Sequence, residues 1–263
     1  MLFRSFQGPH NWYKAFPKCA GKNQSPIEIN EKDTTRVNLG NLKLEGFFKN
    51  DKTSISRWGV ANDGLKVYIN LEGTYYISKG GLEGRHKAYN LYFNWGRVDG
   101  RGSEHKLDGK FYDGEIQIVS YSMSAQKQSG FVTMIKVVEK DNPLLKELIN
   151  AVKKVKYRGE ATNVPTLDNL ADLLSPDFGN FYRYEGSRTW PECTTGVTWT
   201  VWRTPLEMGR AQMEEFRGLY NKEKGTADNI HIADTVRPLQ PRDGRKIEYN
   251  SQHNYRTDVE ASI

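Results

Sequence analysis

Tyr89-Asn90-Leu91-Tyr92-Phe93-Asn94-Trp95-Gly96 changes character from one residue to the next. Side chains of an extended strand point to opposite faces in turn. Asn90, Tyr92 and Asn94 therefore share one face, and Tyr89, Leu91, Phe93 and Trp95 share the other. Outward from this stretch, Leu65 to Leu71, Glu115 to Tyr121 and Phe131 to Glu139 are also rich in β-branched or aromatic residues. Turn clusters separate them: Asn62-Asp63-Gly64, Lys79-Gly80-Gly81 and Asp99-Gly100-Arg101-Gly102.

Helical spacing is confined to three places. Asn142 caps and Pro143 opens a helix carrying Leu144, Leu145, Leu148, Ile149, Val152 and Val155. Leu167, Leu170, Leu173 and Leu174 predict a shorter one that stops before Pro176. Arg210 to Lys224 predicts a third, burying Met213, Phe216 and Tyr220 and ending at Gly225. There is no internal repeat, low-complexity tract or linker-like composition shift. The chain reads as one domain, residues 1–250, built on a large sheet with helices on its surface. Residues 251–263 read as a loose polar tail.

The 263 residues are 37% hydrophobic and 12% aromatic, enough to fill a sizeable core and to exclude a disordered or collagen-like chain. The formal charge of +6 is spread along the chain without a block of five or six like charges. A nucleic-acid tail or polybasic membrane anchor is therefore not expected, while affinity for acidic surfaces stays open. No apolar stretch approaches the ~18–20 residues a membrane span needs. Met1 to Gly8 is too short and polar for a signal peptide, so the chain reads either as cytosolic or as a mature form without its leader. The two cysteines, Cys19 and Cys193, are either two buried thiols or one disulfide closing a loop of about 175 residues, worth roughly 4–5 kcal/mol. The histidines are His10, His86, His105, His231 and His253. None is spaced i, i+2 or i, i+4 from another, no CxxC occurs, and each reads as a surface or hydrogen-bonded residue. No Walker loop, GxSxG elbow or GxGxxG run is present.

Longer segments carry more. Asn11-Trp12-Tyr13-Lys14, Phe16-Pro17-Lys18-Cys19, Gln24-Ser25-Pro26-Ile27-Glu28-Ile29, Asn62-Asp63-Gly64, Phe93-Asn94-Trp95-Gly96 and Gly102-Ser103-Glu104-His105 occur in that order. Downstream come Gly186-Ser187, Thr189, Pro191, Cys193-Thr194, Gly196-Val197, Pro205, Gln212, Phe216-Arg217, Arg237-Pro238 and Gln240-Pro241. Together, over about residues 8–247, they resemble the α-class carbonic anhydrases. The resemblance implies an α+β, mainly β, fold: a large, mostly antiparallel twisted sheet of about ten strands with short peripheral helices. It also implies a zinc ion on three histidines, two at i and i+2 of one strand and one on its neighbour, which lowers the pKa of bound water to about 7 for attack on CO₂.

On this sequence the three ligand positions carry Tyr92, Asn94 and Gln117. A phenol and two neutral amides are a poor donor set for a borderline-soft ion, so no zinc and no other cofactor are expected. Asn90 and Glu115 fall where the family supports its ligands from behind. The proton-shuttle position carries Leu65. Thr189 and Glu104 persist where the family orients zinc hydroxide, and read as vestiges. Arg188 and Trp190 replace smaller or apolar residues beside that threonine. With Tyr92, Asn94 and Gln117 they form a candidate binding cleft. The resemblance also implies a Cys19–Cys193 disulfide and an extracellular location. The sequon Asn23-Gln24-Ser25 is discounted because Pro26 follows it.

The function expected is thus that of an inactive relative that binds an extracellular or cell-surface protein, or a small ligand in the former active site. The alternatives are weak hydratase or esterase activity through an oxygen-preferring cation on Glu115, Gln117 and Asn94, and a matrix or storage role.

Overall fold

The computed structural model describes residues 8–48, 57–164 and 169–252. Its strands in chain order are β1 (Glu28–Ile29), β2 (Thr35–Val37), β3 (Leu42–Glu45), β4 (Arg57–Asn62), β5 (Val67–Glu72), β6 (Tyr76–Lys79), β7 (His86–Trp95) and β8 (Lys106–Leu107). They continue with β9 (Gly114–Ser122), β10 (Lys127–Val138), β11 (Ala161–Val164), β12 (Asn180–Ser187), β13 (Thr195–Trp202), β14 (Leu206–Gly209) and β15 (Glu248–Ser251). The helices are α1 (Lys146–Val152) and α2 (Arg210–Arg217), with a few single turns of 3₁₀ helix.

Thirteen of these strands form one sheet, whose main path runs β11-β4-β5-β7-β9-β10-β13-β12-β15-β2. The sheet is larger than the ten strands expected, and mixed. β10 pairs parallel with β13 and with β14, and β15 pairs parallel with β2; the other pairings within it are antiparallel. Twelve-residue β10 is long enough to serve β13 with one half and β14 with the other.

The alternation in β7 decides which face is core. Leu91 and Phe93 lie opposite Ile118 and Ile116 of β9, and these join Phe131, Leu148, Val152, Met213 and Phe216 in the larger apolar cluster. Both helices therefore cover that face; Phe216 of α2 stands 5.2 Å from the Phe93 ring and 5.4 Å from Trp95. Burying such rings contributes about 1.5–3 kcal/mol each. The expected alternation fails at Tyr89. A bulge between Ala88 and Asn90 leaves Tyr89 without a ladder partner and 40% exposed. On the other side of the sheet, Val132, Met134, Tyr182, Tyr184 and Trp199 build a second cluster with Ile27 and Ile29.

The helices are shorter than their apolar spacing predicts. Asn142 does cap, its side chain accepting from the Leu144 N–H, but the first turn is 3₁₀ and Leu144 is exposed. The second expected helix is a 3₁₀ turn, Leu170–Leu173; Leu167 lies outside the described residues. The third stops at Arg217 instead of Lys224. Beyond it the backbone at Leu219–Asn221 bonds sideways to residues 230–232: Asn221 N–H reaches Ile230 O at 3.0 Å, and Ile232 N–H reaches Leu219 O at 2.8 Å. A tertiary pairing outbid local helix propensity there. At the C-terminal end Ser251 closes β15 and Gln252 N–H bonds to Gly179 O; residues 253–263, including His253, lie outside the described residues, as does Met1 to Gln7. Among the described residues no helix is long and apolar enough to cross a membrane.

Candidate functional site

β7 and β9 run antiparallel with Tyr92 opposite Gln117 and Asn94 opposite Glu115. Directly paired residues project to the same side, so the four side chains rise together from the face opposite the helices. Asn94, Glu115 and Gln117 are fully buried; Tyr92 is half-buried.

The Gln117 amide is held by two carboxylates. Nε2 donates to Glu104 Oε2 at 2.6 Å and to Glu115 Oε1 at 2.7 Å. Only the –NH₂ end can serve two carboxylate oxygens, so the chemistry fixes which way the amide faces. Among the described residues its Oε1 has no hydrogen-bond partner, nor do the two amide atoms of Asn94 or the hydroxyl of Thr189, all buried. Both Glu104 oxygens are engaged, Oε1 accepting from the Arg237 backbone N–H at 3.0 Å. Thr189 and Glu104 share no hydrogen bond.

Behind this floor every polar group is answered. Glu115 Oε2 accepts from the backbone N–H groups of Glu104 and His105, and Oε1 faces His105 Nδ1 at 3.0 Å. The other imidazole nitrogen meets the Tyr184 hydroxyl at 2.6 Å, which donates to Ser25 Oγ at 2.9 Å. Burial by itself would raise the Glu115 carboxyl, but the His105 imidazole and the donated hydrogen bonds hold it below the usual carboxylate range. Burial also pushes the Tyr184 phenol far up, which keeps it neutral.

Above the floor the Tyr92 ring leans on Trp190 at 5.7 Å and on Tyr68 at 6.0 Å. Burial raises the Tyr92 phenol, helped by Asp63 and Tyr68 and opposed by Arg188. The Arg188 guanidinium is tied to Gln128 Oε1 at 2.8 Å. Asp63 belongs to the turn that carries half-buried Leu65, and its carboxylate accepts from the Leu65 and Lys66 N–H groups at 2.7 Å. Asn90 does not join the group; its amide donates to Asn70 Oδ1. Among the described residues no three His, Cys, Asp or Glu side chains are grouped as a metal cage.

A family model described as eukaryotic-type carbonic anhydrase matches residues 7–251, nearly the whole described chain. This chain belongs to the carbonic anhydrase family. Its relatives include human carbonic anhydrase 12, 31% identical over 219 residues, covering 78% of this chain and 60% of that protein. Mouse carbonic anhydrase 7 is 29% identical over 260 residues, covering 93% and 95%. Human carbonic anhydrase-related protein is 29% identical over 250 residues, covering 88% and 84%.

Within this carbonic anhydrase scaffold, Cys19 and Cys193 form a disulfide of 2.06 Å across 174 positions. The cysteines pack with Trp12, and Phe16 rests on the cluster. Buried Arg237 fastens the region: its guanidinium donates to Cys19 O, Ser25 O and Gln24 Oε1 at 2.8–3.0 Å. The sequence motifs contained Arg237, His105 and Ser25, but nothing local revealed their work. Arg237 lies 218 positions from the carbonyl of Cys19 that it holds. Tyr184 and Gln128 carried no motif signal at all.

Proposed function

We propose that this chain is a catalytically silent member of its family, without zinc, that acts outside the cell by binding a partner. The observation that carries the proposal is the orientation of Gln117. Where a ligand would point a lone pair at the metal, this side chain points –NH₂ at Glu104 and Glu115 and thereby occupies the carboxylate that would orient a zinc-bound hydroxide. Tyr92, held neutral by burial, and the two amides do not fit the ion. Both thiols are consumed by the disulfide, and His105 is engaged behind Glu115. The cation alternative is disfavoured by the same contacts, since both Glu115 oxygens already receive donors. The relative that is a carbonic anhydrase-related protein and the disulfide support the silent, extracellular reading.

Metal analysis of the purified protein with a CO₂ hydration assay tests it. The expected result is well below one zinc per chain and no hydration above the buffer rate; one bound zinc with rapid hydration overturns the reading. Combining Tyr92→His, Asn94→His and Gln117→His is expected to restore zinc binding with poor turnover, because Leu65, Arg188 and Trp190 remain.

A further inference from the structure

Several cations of this molecule are balanced: Arg85 pairs with Glu45, Arg203 with Glu31, and Arg210 and Arg217 with Asp99, at 2.7–3.0 Å. Exposed cations without an ion pair among the described residues, such as Lys22, Arg101 and Lys110, are mostly scattered along the chain. One region gathers them. After α1 the chain runs Lys153-Lys154-Val155-Lys156-Tyr157-Arg158, four cations in six residues. Val155 is buried and Tyr157 half-buried, so Lys154, Lys156 and Arg158 stand exposed between them. Lys153 has Glu215 at 3.4 Å. Lys154, Lys156, Arg158, Lys222 and Lys224 have no carboxylate within 4.0 Å among the described residues.

The backbones of Lys156, Arg158 and Lys222 are held on one platform. Arg158 N–H bonds to Lys222 O at 3.0 Å and Tyr220 N–H to Lys156 O at 2.8 Å, which lays the two basic segments side by side. The rings of Tyr157 and Tyr220 stack at 5.1 Å and those of Tyr220 and His231 at 4.4 Å, binding a third segment to the pair. Asn62 locks the platform to the β4–β5 turn through Val155 O at 3.0 Å and Tyr220 O at 3.2 Å. A Cβ on Gly64 would come within 2.7 Å of both Arg158 Cδ and Asn221 O, so the fit is close. With the backbone fixed, a partner has only side chains left to order. Glu223 and Asp228 on the same loop are exposed and temper the field without pairing with these cations.

We propose that this face, beside the turn that carries Leu65, is a docking site for a linear sulfated polysaccharide. A multiply anionic chain is the partner that a cluster of unpaired cations on two backbone-paired segments selects. The disulfide suits an oxidising, extracellular compartment, where polyanions are sulfated glycans rather than nucleic acid. The proposal rests on the reading of the chain as an extracellular binding protein, yet its test is independent of zinc content and hydration rate. Loss of heparin binding would leave the silent-enzyme reading standing, and bound zinc would leave this face standing.

The test uses the full chain on immobilised heparin, with salt elution and titration. The expected result is retention beyond that on a sulfonate cation exchanger. Lys154→Gln, Lys156→Gln and Arg158→Gln together should weaken binding roughly tenfold or more at low salt. A control triple, Lys22→Gln, Arg101→Gln and Lys110→Gln, lowers net charge by the same amount elsewhere and should weaken it much less. Equal losses in the two triples would reduce the effect to overall charge and overturn the proposal. So would single-stranded RNA or anionic vesicles competing as well as heparin. Matched thermal unfolding of both triples separates a lost site from a lost fold.

Discussion

The floor of the cleft and the network behind it meet on β9, where Gln117 and Glu115 stand two residues apart, yet they obey opposite rules. Behind the floor, Glu115, His105, Tyr184 and Ser25 form a chain in which each buried polar group has a partner. On the floor, Asn94, Thr189 and the carbonyl of Gln117 have none. A buried polar group without a partner costs about 1–3 kcal/mol, so the floor weakens the fold that the network supports. The contrast separates groups the scaffold uses in order to stand from groups it leaves without partners.

The largest effect is expected at the network. Glu115→Ala leaves His105 and two backbone N–H groups facing an empty site, and should cost about 3–5 kcal/mol in urea unfolding; a loss under about 1 kcal/mol would erase the contrast. Next, Cys19→Ser with Cys193→Ser should cost about 2–5 kcal/mol, read as a lower midpoint with a steeper denaturant slope, because the unbridged unfolded chain exposes more surface. Acid should act on the same side of the comparison. Because the folded Glu115 carboxyl lies below its ordinary value, its contribution is complete above about pH 4.3 and is lost as the pH falls through the lower folded value. Unfolding free energy followed from pH 6 downward should thus decline with a component missing in Glu115→Gln, and an identical profile in the two proteins would refute it. The smallest effect belongs to the floor: Asn94→Leu should be neutral or stabilising by about 1 kcal/mol, with its pH profile unchanged. A clear destabilisation there would mean that Asn94 has a bonded partner.

Much of this was readable in one dimension. Alternation in β7 placed Tyr92 and Asn94 on one face, and the register with β9 brought Gln117 beside them. Strands β12 and β13 also alternate, in Tyr182-Arg183-Tyr184-Glu185 and Val197-Thr198-Trp199-Thr200-Val201, but the polar Arg183, Thr198 and Thr200 are buried as well, so the alternation does not tell which face is core. Helix α2 was overestimated because Tyr220 continues its apolar spacing, whereas the pairing of residues 219–221 with 230–232 claims that backbone. The identities of Thr189 and Glu104 say nothing about contact, and the two share no hydrogen bond among the described residues.

Residue identity alone determined the chemistry on offer: a phenol and two carboxamides cannot become imidazoles in any fold, and their donor character was settled when they were written. Only the tertiary structure decided which way Gln117 faces and that Glu104 is spent on it and on Arg237. It alone brought Lys222 beside Arg158. Hydrogen bonds and charge fields depend on distance in space, and atoms separated by more than a hundred positions along the chain meet only after the sheet has closed over them.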